Sequence, residues 1–104
     1  MVRILKQCER ELREMPKVIR EDLADALARL DQGHTLAMPL SRPMSTIGKS
    51  VHELRLKDHS GIYRIIYMFI KHDDIWLLHA FKKTTQETPN QNIRLAKKRI
   101  RELI

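Results

Sequence analysis

Cations recur inside and at the ends of three apolar runs between Val51 and Thr85, VHELRLKDHSGIYRIIYMFIKHDDIWLLHAFKKTT. Arg55 and Lys57 lie in the first run, Arg64 in the second, and Lys82 and Lys83 close the third. A row of such groups is a surface for phosphates. Cutting a ribonucleotide chain without a metal needs a base for the 2′-hydroxyl, a cation over the developing phosphorane charge and an acid for the leaving 5′-oxygen. Arg55 and Arg64 suit charge stabilisation, since guanidinium stays protonated and grips phosphate in bidentate fashion. Lys82 and Lys83 suit proton transfer, because neighbouring positive charges make an ammonium easier to deprotonate. His79 and Tyr67 are candidate helpers, although a histidine between Leu78 and Ala80 also fits a hydrogen-bonded core position, as does Tyr67 within its aliphatic run. The sequence has no nucleotide loop, serine nucleophile elbow, HExxH or paired-cysteine motif, so this chemistry would rest on cations, histidines and tyrosines without a cofactor or metal.

The elements that must position these residues follow from spacing. The three runs are rich in β-branched, aromatic and aliphatic residues and are separated by short polar segments, Asp58 to Gly61 and Lys71 to Asp74, which predicts an antiparallel three-stranded meander. If Leu54 and Leu56 point to a core, alternation puts Glu53, Arg55 and Lys57 on the open face, with Arg64 beside them when Tyr63, Ile65, Tyr67 and Phe69 point inward. The last run does not reveal its faces, because Trp76, Leu78 and Ala80 alternate with Ile75, Leu77, His79 and Phe81. The expectation is that Arg55, Arg64 and the Lys82-Lys83 pair converge on one uncovered concavity.

Upstream, Val2 to Leu5 can add a short strand to the sheet edge. Leu5, Cys8, Leu12 and Met15 form one helical stripe over Lys6 to Glu14, which Pro16 ends. Ile19, Leu23, Ala26, Leu27 and Leu30 form a second over Lys17 to Gln32, closed by Gly33. Residues 34–50, with Pro39, Pro43 and Gly48, read as a loop crossing to the sheet. Thr88-Pro89-Asn90-Gln91 matches a helix-start pattern, and Ile93, Ala96, Ile100 and Leu103 then form the buried stripe of a C-terminal helix. On its other faces Arg94, Lys97, Lys98 and Arg101 are candidate RNA-binding residues, together with Lys57.

With 104 residues the chain reads as one α+β domain, two N-terminal helices on a small twisted antiparallel sheet plus a C-terminal helix. Its 20 Lys and Arg against 13 Asp and Glu give a formal charge of +7, which points to a polyanionic partner. Residues 1–33 hold seven of each sign, so the whole surplus lies in residues 34–104. The single cysteine, Cys8, reads as a small core residue and excludes an internal disulfide, and no apolar run is long enough to span a bilayer or direct secretion. A reducing, cytoplasmic setting is the expectation.

GIYRIIY (Gly61 to Tyr67), HELRL (His52 to Leu56), LLHAFKKTTQETP (Leu77 to Pro89) and LAKKRI (Leu95 to Ile100) together resemble the RelE/ParE toxin superfamily, specifically its phage-derived HigB-like branch. The resemblance implies a type II toxin that enters the ribosomal A site and cuts mRNA without a metal, monomeric within a complex with its antitoxin, a helix-turn-helix protein. By position it assigns Arg55, Arg64, Lys82 and Lys83 to the basic residues of the RelE-type site. Where several relatives carry a tyrosine or histidine after the last strand, this chain has Thr84, Thr85, Gln86 and Glu87, so the general base is left open. A ParE-like inhibitor of DNA gyrase, or a nucleic-acid binder without catalysis, are the alternatives.

Overall fold

The computed structural model describes residues 1–71, 74–83 and 88–103; His72, Asp73 and the Thr84 to Glu87 segment lie outside them. Within those residues the chain runs β1 (Val2–Ile4), α1 (Lys6–Arg13), α2 (Lys17–Asp31), β2 (Ser41–Pro43), β3 (Val51–Asp58), β4 (Gly61–Ile70), β5 (Asp74–Lys83) and α3 (Asn90–Leu103). One sheet is ordered β1-β5-β4-β3-β2, antiparallel except for the parallel pairing of β1 with β5. The meander and the three helices stand where their apolar periodicities put them. The sheet is mixed rather than wholly antiparallel, because β1 runs alongside β5 from Val2 opposite Ile75 to Ile4 opposite Leu77.

The 34–50 segment is not all loop: Ser41, Arg42 and Pro43 pair with Leu54, Glu53 and His52. Three residues ending in proline carry little strand signal, but an edge strand tolerates proline because one side of its ladder is unused. The β3–β4 turn follows its chemistry closely. The Asp58 carboxylate accepts from the Ser60 backbone N–H at 2.8 Å and its hydroxyl at 2.6 Å, and Gly61 takes φ +147°, a conformation side-chain-bearing residues rarely adopt.

Helices α1 and α2, with Met15 of their connection, bury Cys8, Leu12, Ile19, Leu23, Ala26 and Leu30 against Leu54, Leu56, Tyr63, Ile65, Tyr67, Leu77 and Ala80 of the sheet. The other sheet face is not open: Ile66, Leu78 and Val51 are buried under α3, with Ala96 fully enclosed and Ile93, Ile100 and Leu103 around it. Both faces are therefore covered over much of their length, and apolar residues on both sides of β5 are what this requires. A register shift between Ile66 and Tyr67 pairs them with His79 and Leu77, so Leu78 is an extra residue in β5. This bulge turns Leu78 and His79 to the α3 side and sends Ala80 back to the α1/α2 side. Strict alternation along Ile75 to Phe81 could not find the faces for that reason.

A polar cluster fastens α1, β5 and α3 where β1 stops. The sheet edge beyond Leu77 leaves the Ala80 N–H unpaired by β1, and Glu11 Oε1 accepts it at 3.0 Å. Arg99 of α3 donates to both Glu11 oxygens at 2.9 and 3.0 Å and to the Leu78 carbonyl at 2.7 Å. His79 Nδ1 lies 3.0 Å from the same carboxylate and its Nε2 2.6 Å from Asn92 Oδ1. Burial alone would raise the Glu11 carboxyl, but the hydrogen bonds from His79, Arg99 and the Ala80 amide outweigh it and hold its pKa at about 2, against an ordinary 4.5. A carboxyl depressed on folding stabilises the protein above its unfolded pKa and loses that contribution as pH falls toward its folded pKa. Urea titrations between pH 5 and pH 2 will show a steep loss of stability in the natural chain, and Glu11→Gln, less stable at pH 7, will show a flatter acid limb. Nearby, burial and then Glu11 push the Cys8 thiol up to about 12, so it stays protonated as a core residue.

Candidate functional site

The α3-side face of the sheet carries its cations at the end that α3 leaves. Cross-strand register sets Arg55 opposite Arg64 and Arg64 opposite Phe81; one step further Lys57 faces Ile62 and Ile62 faces Lys83. Directly opposed side chains on one face have Cβ atoms about 4.5–5.5 Å apart. Four cations, Arg55, Lys57, Arg64 and Lys83, thus surround Ile62. A cleft of about 230 Å³ opens here, lined by Pro39, Leu40, Arg55, Lys57 and Ile62. The Arg55 backbone N–H donates to the Leu40 carbonyl at 2.8 Å, which fixes the cleft wall against β3. Arg55 is half-buried and Lys57 exposed. No hydrogen bond or ion pair holds either side chain among the described residues, so both are free for a ligand in the cleft.

Arg64 differs from the expectation of a residue on an open surface. Its side chain has no exposure, and its Nη1 donates to Glu53 Oε1, a carboxylate that is also fully buried. Thr88 Oγ1 donates to Glu53 Oε2 at 2.6 Å and accepts from Arg64 at 3.2 Å, while Arg42 Nε donates to Glu53 Oε1 at 3.2 Å. Burial disfavours the Arg64 charge, Arg55 and Arg42 add to that, and Glu53 opposes them, with a net lowering from its ordinary value. Glu53 is thus the counter-ion that lets two arginines share this end of the sheet. Sequence reasoning put Glu53 on an open face; it lies beneath the start of α3, and the available signal was its two-residue step from Arg55 on the same side of β3.

The expected convergence of all four strand cations does not occur. Lys82 and Lys83 are consecutive on a strand and point to opposite faces. Lys82 Nζ is exposed and stands 5.8 Å from the Tyr63 ring centroid on the α1/α2 side. Lys83 lies on the Arg55 side, 6 % exposed, its Nζ without a hydrogen-bond partner among the described residues. The two lysines therefore do not form the proton-sharing pair that adjacency suggested. Tyr67 also lies across the sheet from Arg64: it is buried on the α1/α2 side with its hydroxyl 2.6 Å from Ser41 Oγ and its ring stacked on His52. His79 shares the Arg64 face but sits two residues further along β5, buried and engaged with Glu11 and Asn92. Arg94, Lys97, Lys98 and Arg101 are exposed on α3, whereas Arg99 is turned inward.

An α+β scaffold of this topology, with a basic cleft at one end of its meander, is a RelE-like fold. Among solved structures it is similar to a double arginine-to-alanine mutant of the E. coli toxin RelE in the free state, at a TM-score of 0.54 and 14 % identity, covering 100 % of this chain and 97 % of that one. The model of the phage-derived Gp49-like protein family matches residues 10–101. This chain belongs to the phage-derived Gp49-like family, and its fold is RelE-like. No curated protein matches its sequence.

Proposed function

We propose that this chain is the toxin of a type II toxin-antitoxin pair, of the HigB-like branch, and that it inhibits translation by cutting mRNA on the ribosome without a metal. The observation that carries this is the cleft at Arg55 and Lys57, two cations with no protein partner among the described residues, on a scaffold shared with the RelE toxin. In this reading Arg55 meets the scissile phosphate and stabilises the charge that develops on it. Lys57 holds the adjoining backbone, and the exposed Arg94, Lys97, Lys98 and Arg101 of α3 add salt-dependent attraction to ribosomal or messenger RNA. Arg64 is a positioning residue: it acts through Glu53 and Arg55 from below the surface. Lys83, buried on the cleft side, is the better placed of the two lysines for proton transfer, since Lys82 belongs to the far face. A helix-turn-helix antitoxin encoded beside the chain would silence it.

Expression of the chain alone should arrest growth with amino-acid incorporation falling first, while plasmid supercoiling stays normal, and co-expression of the neighbouring antitoxin should reverse the arrest. Loss of supercoiling with translation intact would instead establish the gyrase-inhibitor reading.

A further inference from the structure

A second cleft, of about 330 Å³, opens on the other side of the Arg42–Glu53–Arg64 network, between the 44–46 turn and the start of α3. Its polar wall is Arg42, Ser45, Thr46 and Asn90, and its floor includes Met44 and Ile93. Arg42 is held by Nε to Glu53 at 3.2 Å and by Nη2 to Thr88 at 3.4 Å, and its Nη1 has no hydrogen-bond partner among the described residues. Its side chain is 31 % exposed, so a fixed guanidinium presents one free edge to the cleft. Ser45, Thr46 and Asn90 are exposed and can donate as well as accept. Among the described residues lining the cleft there is no carboxylate. Glu53, the nearest one shown, is buried beneath Arg42 and neutralised there.

We propose that this cleft is a second phosphodiester subsite, which holds the nucleotide adjacent to the one at Arg55 and Lys57. The proposal rests on the RNA-cleaving reading for its substrate. Arg42 pairs in register with Glu53, so Arg55 is its diagonal neighbour on the same face, about 7–8 Å away by strand geometry. A single strand running from the first cleft to the second crosses only this short ridge and meets a guanidinium on each side of it. The mixture of hydroxyls, amide and guanidinium over a small apolar floor suits a ribose phosphate, whose hydroxyls both donate and accept. A carboxylate peptide would require donors alone.

Thr46 is exposed on the turn and takes no part in the buried network, so Thr46→Glu introduces repulsion without disturbing Glu53. Binding of a fluorescent hexauridylate, made uncleavable by 2′-deoxy substitution only at the nucleotide facing Arg55, should weaken about tenfold in Thr46→Glu and far less in the uncharged Thr46→Gln. In a labelled sample the Ser45, Thr46 and Asn90 amides and the Arg42 Nε–H should shift on titration with the same oligonucleotide. Equal affinity of Thr46→Glu and the natural chain, or shifts confined to the Arg55 cleft, would overturn the subsite. So would displacement of the RNA from these amides by hexaglutamate at comparable concentration, which would make the cleft an acidic-peptide site. If the chain cuts no message on ribosomes and the Thr46→Glu effect on oligonucleotide binding persists, the catalytic reading falls and the subsite stands. If message is cut and Thr46→Glu binds as the natural chain does, the subsite falls alone.

Discussion

Arg64→Ala will lower the stability of the chain by about 3–5 kcal/mol, a large part of what a domain of this size possesses. The substitution leaves Glu53 fully buried with its direct Arg64 partner gone, and Arg42 and Thr88 alone to satisfy it. The penalty for an under-compensated buried carboxylate exceeds the modest net worth of the ion pair itself. Replacing both partners, Arg64→Met with Glu53→Leu, should therefore recover more than half of the loss, because the one charge left without its partner, Arg42, is partly exposed to water. Chemical denaturation of the natural chain and the two variants checks this. A stable, fully folded Arg64→Ala single variant would mean that the pair is looser in solution than its burial implies. Any loss of toxicity in Arg64→Ala is then read first as loss of fold, and only a folded variant speaks to catalysis.

Arg55→Ala should do the opposite: the melting temperature stays within a few degrees while cleavage falls about 10²–10³-fold, the usual cost of removing one group that stabilises transition-state charge. Arg55 makes no side-chain hydrogen bond among the described residues, and its structural tie is the backbone N–H to Leu40, which alanine retains. Arg55→Lys should recover only part of the rate, since an ammonium keeps the charge but loses the bidentate geometry. Single-turnover cleavage at a saturating concentration of the chain separates this loss of rate from a loss of binding.

How much of this was legible in the sequence depended on whether a single periodicity ruled each segment. The stripes Cys8, Leu12, Met15 and Ile19, Leu23, Ala26, Leu30 each face one partner, so one period gave the helix and its buried side. The β3–β4 hairpin was legible from Asp58-His59-Ser60-Gly61, where local hydrogen bonds and a positive φ are written in the residue types. β5 was not, because a bulge at Leu78 breaks alternation in a strand apolar on both sides. The cations of the meander were legible as residue types but not in their exposure. Nothing local to Arg64 announces that Thr88, just ahead of α3, lies over Glu53, since the contact joins residues 35 positions apart. The divergence of Lys82 and Lys83, by contrast, follows from strand alternation alone; their adjacency in sequence argued for a cluster that a strand cannot form. Arg42 was hidden in an apparent loop, and only its pairing with Glu53 makes it part of the site.

The most direct measurement is primer extension on a defined message bound in purified ribosomes, after addition of the purified chain or its folded Arg55→Ala variant. New 5′ ends within the A-site codon, formed by the natural chain and at least a hundredfold more slowly by Arg55→Ala, are the predicted result. An intact message with the natural chain, or equal cutting by Arg55→Ala, would contradict the assignment of catalysis to this cleft.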